Sequence, residues 1–127
     1  MKLVLGGYAQ GKLEYVLSEY KLQEPVALDG AWPAPGSLQG KQLVVNHFHQ
    51  WVKSRISEGG CPEEEISGLL DAYRDCIIIC DEVGNGIVPA GPAEREYRER
   101  VGRILILLAQ RAEEVERVIC GIGQKIK

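Results

Sequence analysis

No stretch of the 127-residue chain approaches the roughly 18 consecutive apolar residues of a membrane span. A basic excess is also missing. Fifteen Lys and Arg stand against 18 Asp and Glu, a formal net charge of -3, so the chain as a whole does not point to nucleic acid. After Lys2 only Leu3, Val4 and Leu5 precede two glycines, which makes a poor signal peptide, and a cytoplasmic location is expected. None of the four cysteines (Cys61, Cys76, Cys80, Cys120) forms a Cys-x-x-Cys pair, so reduced, buried thiols are expected rather than disulfides or a zinc site. His47 and His49 lack a matching third ligand, so no metal held by a side-chain cluster is expected. Internal repeats and low-complexity segments are absent.

What is present is an ordinary apolar content on a length suited to one domain, residues 1–127, with enough chain to bury a core. Residues 2–5 (KLVL) read as a buried strand stopped by Gly6-Gly7, and residues 11–22 carry Leu13, Val16, Leu17 and Tyr20 at helical spacing. PVAL (25–28) and QLVVN (42–46) read as strands on either side of a Gly- and Pro-rich loop, 29–41. Helices follow from His47 to Ile56 and from Pro62, where three glutamates suit the positive end of a helix dipole. CIIIC (76–80) reads as a central parallel strand, residues 93–114 as a long helix, and VERVIC (115–120) as the last strand before the tail GIGQKIK. Short apolar strands alternating with helices predict an α/β fold: a mostly parallel sheet of roughly four or five strands with helices on both faces.

The segment LGGYAQGKL (5–13) contains Gly-x-x-x-x-Gly-Lys between the first strand and the first helix, the context a phosphate-binding loop requires. Gly6, Gly7, Tyr8, Ala9, Gln10, Gly11, Lys12 and Leu13 are therefore the candidate nucleotide-binding residues. Their backbone N–H groups would surround phosphate, and Lys12 would reach the β- and γ-phosphates. The alternative is a glycine-rich turn with Lys12 solvated. Leu13 stands where a hydroxyl would ligate Mg²⁺, and the strand ending at Asn46 lacks the acid that often organises that ion. Asn46 either hydrogen-bonds a metal-bound water or serves as a strand-end or helix-capping residue. Glu82, just past a central strand, is a candidate metal-site carboxylate or substrate contact, or else a loop carboxylate bonded to nearby N–H groups.

The chain resembles the adenosylcobinamide kinase / adenosylcobinamide-phosphate guanylyltransferase family. Three segments carry the resemblance: DEVGNGIVP (81–89), REYRERVGR (95–103) and EEVERVICGIGQKIK (113–127). The N-terminal Gly6, Gly7, Gly11 and Lys12 also match, so the likeness spans residues 1–20 and 74–127. It implies a P-loop NTPase-like fold in a homo-oligomer, GTP or ATP as substrate with Mg²⁺, and phosphoryl transfer to the aminopropanol hydroxyl of adenosylcobinamide. A second step in the family adds GMP through a guanylylated His. The departures fall on the chemistry. Leu13 replaces the hydroxyl residue, Asn46 an acid, Asp81 an Asn, and Leu105-Ile106 an Asn-Gln pair; the segment bearing the guanylylated His is missing. His47 and His49 do not match that position. The resemblance thus implies either a kinase, with Lys12 and Glu82 as its catalytic residues, or a non-catalytic nucleotide- or corrinoid-binding paralogue or oligomer partner of a full-length enzyme.

Several residues carry two readings each. Arg98 reads as a helix ion pair with Glu94, and Arg103 as a phosphate contact or a cover for the sheet edge. Trp32 and Trp51 either stack on a ring system or pack in the protein. Gly84 and Gly86 serve loop geometry, and Lys125 and Lys127 read as a solvated tail.

Overall fold

The N-terminal apolar run forms β1 (Lys2–Gly6), inside a mixed sheet, in the computed structural model, which describes residues 1–82 and 91–127. There follow α1 (Lys12–Glu19), β2 (Val26–Asp29), β3 (Leu43–Asn46), α2 (Phe48–Ser57), α3 (Pro62–Ala72), β4 (Ile77–Asp81), α4 (Pro92–Arg111), β5 (Glu114–Ile119) and β6 (Ile122–Lys125). The strand order is β2-β3-β4-β1-β5-β6, parallel from β2 to β5 and antiparallel at β6. This is the α/β architecture expected from the strand and helix pattern. The block from Val83 to Pro89, with Gly84 and Gly86, lies outside the described residues.

Alternation along each strand sorts the core into two layers, because successive side chains point to opposite faces. Leu3, Val45, Ile78 and Cys80 face α2, α3 and α4, whose apolar stripes contribute Phe48, Trp51, Ile66, Leu70, Val101, Ile104 and Leu108. Val4, Val44, Ile77, Ile79 and Val118 face Val16 of α1. β4 is covered on both sides, and burying each of its isoleucines contributes about 1.5–3 kcal/mol.

Two expectations need correction. The sheet has six strands among the described residues, not four or five, because the tail folds back as β6. The two-residue turn Cys120-Gly121 has φ of 51° and 75°, the double left-handed geometry that matches strand twist in tight hairpins. With Cys rather than Asn or Asp before the Gly, the usual hairpin signal was absent. Along α4, Ile104 and Leu108 face the core, whereas Ile106 and Leu107 are exposed. Lys127 is not a solvated tail residue, since its Nζ donates to Ala109 O and Gln110 O, both at 3.0 Å, at the negative end of α4.

The helical layer is tied together by charge. Arg100 of α4 forks onto Glu63 of α3 at 2.7 and 2.9 Å, and Arg55 of α2 contacts Glu65 at 2.7 Å. The Arg100 guanidinium pulls the Glu63 carboxyl down to about 2. A carboxyl depressed on folding adds stability above its unfolded value and loses it as pH falls toward the folded one. Glu63→Gln should therefore lower stability by about 1 kcal/mol at neutral pH. In urea titrations, that gap should close as pH falls from about 4.5 to about 2.

Candidate nucleotide-phosphate site

β1 ends at Gly6 between two neighbours. A Cβ there would stand 2.6 Å from the Val118 carbonyl oxygen of β5, and the Gly6 carbonyl accepts the Glu82 N–H at 2.8 Å. Only glycine permits that approach. The chain then curls through Gly7, an exposed Tyr8, Ala9 with φ of 55°, Gln10, and Gly11 with φ of 79° before entering α1. Gly11 caps α1 without a side-chain bond, so the cap supplies no acceptor to the first-turn N–H groups. Gln10 turns away from the loop's concave side. Its Oε1 accepts the Cys120 N–H at 2.7 Å, and its carbonyl accepts the Gly121 N–H at 2.9 Å. Leu13 is half-buried against the α1-side core and offers no oxygen.

Lys12 is not a solvated turn lysine. Its side chain is 7% exposed and curls into the loop, where Nζ donates to Gly7 O and pairs with Asp81 Oδ1, both at 2.7 Å. Asp81 ends β4 directly opposite Gly6 in the parallel register. It also faces α2: the Asp81 N–H donates to His49 Nδ1 at 3.3 Å, and Oδ2 lies 3.6 Å from His49 Nε2. Burial chiefly lowers the pKa of His49, against the pull of Asp81. An imidazole whose Nδ1 accepts an N–H is neutral and carries its proton on Nε2, facing the carboxylate.

A row of polar groups continues along the carboxyl ends of the strands. The His47 and His49 rings meet edge to face with centroids 5.8 Å apart, and His47 Nδ1 lies 2.9 Å from Asp29 Oδ1. Asn46 donates its amide to the same Asp29 oxygen at 2.8 Å, joining the ends of β3 and β2. It therefore does not cap α2, whose N-cap residue is His47. Glu82 is forked by Arg117 of β5 at 2.6 and 3.0 Å. Among the described residues, no group of three or more His, Cys, Asp and Glu side chains is arranged to hold a metal ion.

Other expected contacts resolve into packing. Arg98 meets Glu94 at 3.7 Å, as the helix spacing implied, and Arg103 pairs with Glu99 rather than lying at the loop. Trp32 stacks on Tyr73 at 5.9 Å and meets Trp51 edge-on at 6.1 Å, within the core. The residues missed from sequence are Asp81 and His49. The signal for Asp81 was an acid directly after a fully buried strand. Only the strand order puts β4, rather than β3, beside β1, and that order leaves no local trace in the sequence.

The comparisons with known proteins bear on this geometry. A family model described as cobinamide kinase / cobinamide phosphate guanyltransferase matches residues 18–126. The chain belongs to that family. Among relatives of the cobinamide kinase family, the bifunctional adenosylcobalamin biosynthesis protein CobU of Salmonella typhimurium is 41% identical over 69 residues, covering 51% of this chain and 38% of the relative. The Escherichia coli protein of the same name is 42% identical over 67 residues, covering 50% and 37%. The bifunctional adenosylcobalamin biosynthesis protein CobP of Pseudomonas aeruginosa is 25% identical over 115 residues, covering 84% and 64%. The matched stretches thus span less than two thirds of each relative. The family match begins at residue 18, so the candidate loop at residues 6–13 lies outside it. Among the described residues, no helix is long and apolar enough to cross a membrane.

Cys76 and Cys80 are buried, and burial pushes both thiols up to about 12. Cys120, expected to be buried, is exposed at the turn bonded to Gln10. Brief treatment of native protein with a maleimide should modify Cys120 and leave Cys76 and Cys80 unmodified until the protein is unfolded, as read by peptide mass spectrometry.

Proposed function

We propose that the chain binds a nucleoside triphosphate, GTP or ATP, at residues 6–13 and transfers the terminal phosphoryl group to the aminopropanol hydroxyl of adenosylcobinamide. The observation that carries this reading is the buried Lys12 ammonium, curled within a strand-loop-helix at the carboxyl edge of a parallel sheet. In the transfer, the hydroxyl oxygen forms a bond to the γ-phosphorus, the bond from that phosphorus to the β–γ bridging oxygen breaks, the nucleoside diphosphate leaves, and the hydroxyl proton passes to solvent. The backbone N–H groups of the loop and of the start of α1 hold the phosphate oxygens, and Lys12 offsets charge on them.

Mg²⁺ needs oxygen ligands and accepts one or two carboxylates together with phosphates and water. Leu13 supplies none, but Asp81 does, from the strand next to the loop. Asp81 is therefore the residue that would hold the ion, and the ion would neutralise the β- and γ-phosphoryl oxygens. Glu82, held by Arg117, adds a carboxylate for the surrounding water shell. Kinase chemistry is favoured over guanylyl transfer because the family's guanylylated His has no counterpart in this sequence.

Calorimetric titration with GTP and ATP in Mg²⁺ should show micromolar binding, weakened by about a hundredfold in Lys12→Ala. No binding at millimolar nucleotide would overturn the reading. Leu13 favours a second reading, a binding protein without turnover. Phosphorylation of adenosylcobinamide by the wild type, raised in Leu13→Ser, supports the kinase. Tight binding with no product from either protein supports the second reading.

A further inference from the structure

Lys12 is held by two partners inside the loop. Its ammonium bonds Gly7 O and Asp81 Oδ1, both at 2.7 Å, and its own side chain fills the curl of the loop. Clefts of about 440 and 450 Å³ lie at the opposite end of the strands, near Lys2 and Gln42. A phosphate entering the loop competes with Asp81 for one cation. If Lys12 turns to the phosphate, Asp81 loses its ion pair with that lysine. Among the described residues, His49 is the other side chain paired with it, and its Nδ1 accepts the Asp81 N–H, so it meets the carboxylate as a neutral imidazole. The neighbouring cation, Arg117, is forked on Glu82. Asp81 is only 18% exposed, so water screens it poorly. A bare polyphosphate therefore brings several negative charges against a partly buried carboxylate that has lost its partner. A divalent cation removes the conflict by taking the Asp81 oxygen as Lys12 leaves it.

We propose that Asp81 is a specificity-determining residue: by holding Lys12 it makes the loop reject uncomplexed polyphosphate and admit only the divalent-metal complex. This rests on the nucleotide-binding reading above. It differs from a simple metal-ligand role in its sign. A carboxylate that supplied a metal ligand without opposing the bare phosphates would leave metal-free binding unchanged when neutralised. A carboxylate that holds Lys12 would make metal-free binding tighter.

The test is calorimetric titration of wild type and Asp81→Asn with GTP and with tripolyphosphate, each in EDTA and in Mg²⁺. In the wild type, Mg²⁺ should tighten GTP binding by at least about a hundredfold. In Asp81→Asn, binding in EDTA should tighten by at least about tenfold, and the Mg²⁺ effect should shrink to less than about fivefold. Tripolyphosphate should follow the same pattern, because the conflict lies at the phosphates. Thermal unfolding checks that the variant is folded, and Asp81→Ala provides a second removal of the charge with the same expected direction. Nucleotide binding in which metal-free affinity is unchanged or weaker in both variants would overturn the inference and leave the nucleotide reading intact. No binding by any of these proteins in either buffer would overturn both.

Discussion

The close approach of β1 to β5 at Gly6 is the constraint from which the site follows. β1 runs between β4 and β5, and at its last residue there is no room for a side chain on the β5 side. The strand stays paired there: its carbonyl accepts the Glu82 N–H of the segment leaving β4. The loop therefore springs from a point flanked by Asp81 of β4 on one side and Val118 of β5 on the other. A bulkier residue would push β5 away, and with it the hairpin turn that holds Gln10.

That hairpin is a second support for the same loop. Its turn donates two consecutive N–H groups to Gln10, and its strands hold α1 from the side. Tyr15 and Tyr20 donate their hydroxyls to the two oxygens of Glu116, each at 2.6 Å. Tyr15 crosses β6 at Gly123, where a Cβ would stand 2.1 Å from the tyrosine oxygen. Burial and then the Glu116 carboxylate push the Tyr20 phenol up, and the Glu116 carboxylate and then burial push up that of Tyr15. The loop is thus held from behind by backbone donors, and its concave side is filled by Lys12.

The carboxyl edge of the sheet is close to charge-balanced in pairs: Asp81 with Lys12, and Glu82 with Arg117. Balanced pairs keep a partly buried edge stable without ligand, because an unpaired charge there would carry a desolvation cost. The same balance means that an incoming anion must rearrange charge rather than simply meet a waiting cation. The chain belongs to the cobinamide kinase / cobinamide phosphate guanyltransferase family.

Local chemistry was readable in the sequence. An apolar run, two glycines and a Gly-Lys before a 3.6-residue pattern specify strand, loop and helix through short-range sterics and hydrophobic spacing, and β1, Lys12 and α1 lie where those rules put them. The same holds for the α/β class and for the buried faces of α2 and α3, because periodicity records which face meets the sheet. The order of the strands leaves no local trace. Which strand lies beside β1 is decided by how all the helices pack over the two faces, and it is this that puts Asp81, not Asn46, against Lys12. The β6 hairpin and the part played by Gln10 were hidden for a related reason. A turn at Cys120-Gly121 carries no strong residue signal, and its stability comes from contacts with residues more than a hundred positions away. Sequence by itself determined the loop and its lysine. Only the tertiary structure decided that the lysine would be held by a carboxylate, because that pairing exists only when two distant strands lie side by side.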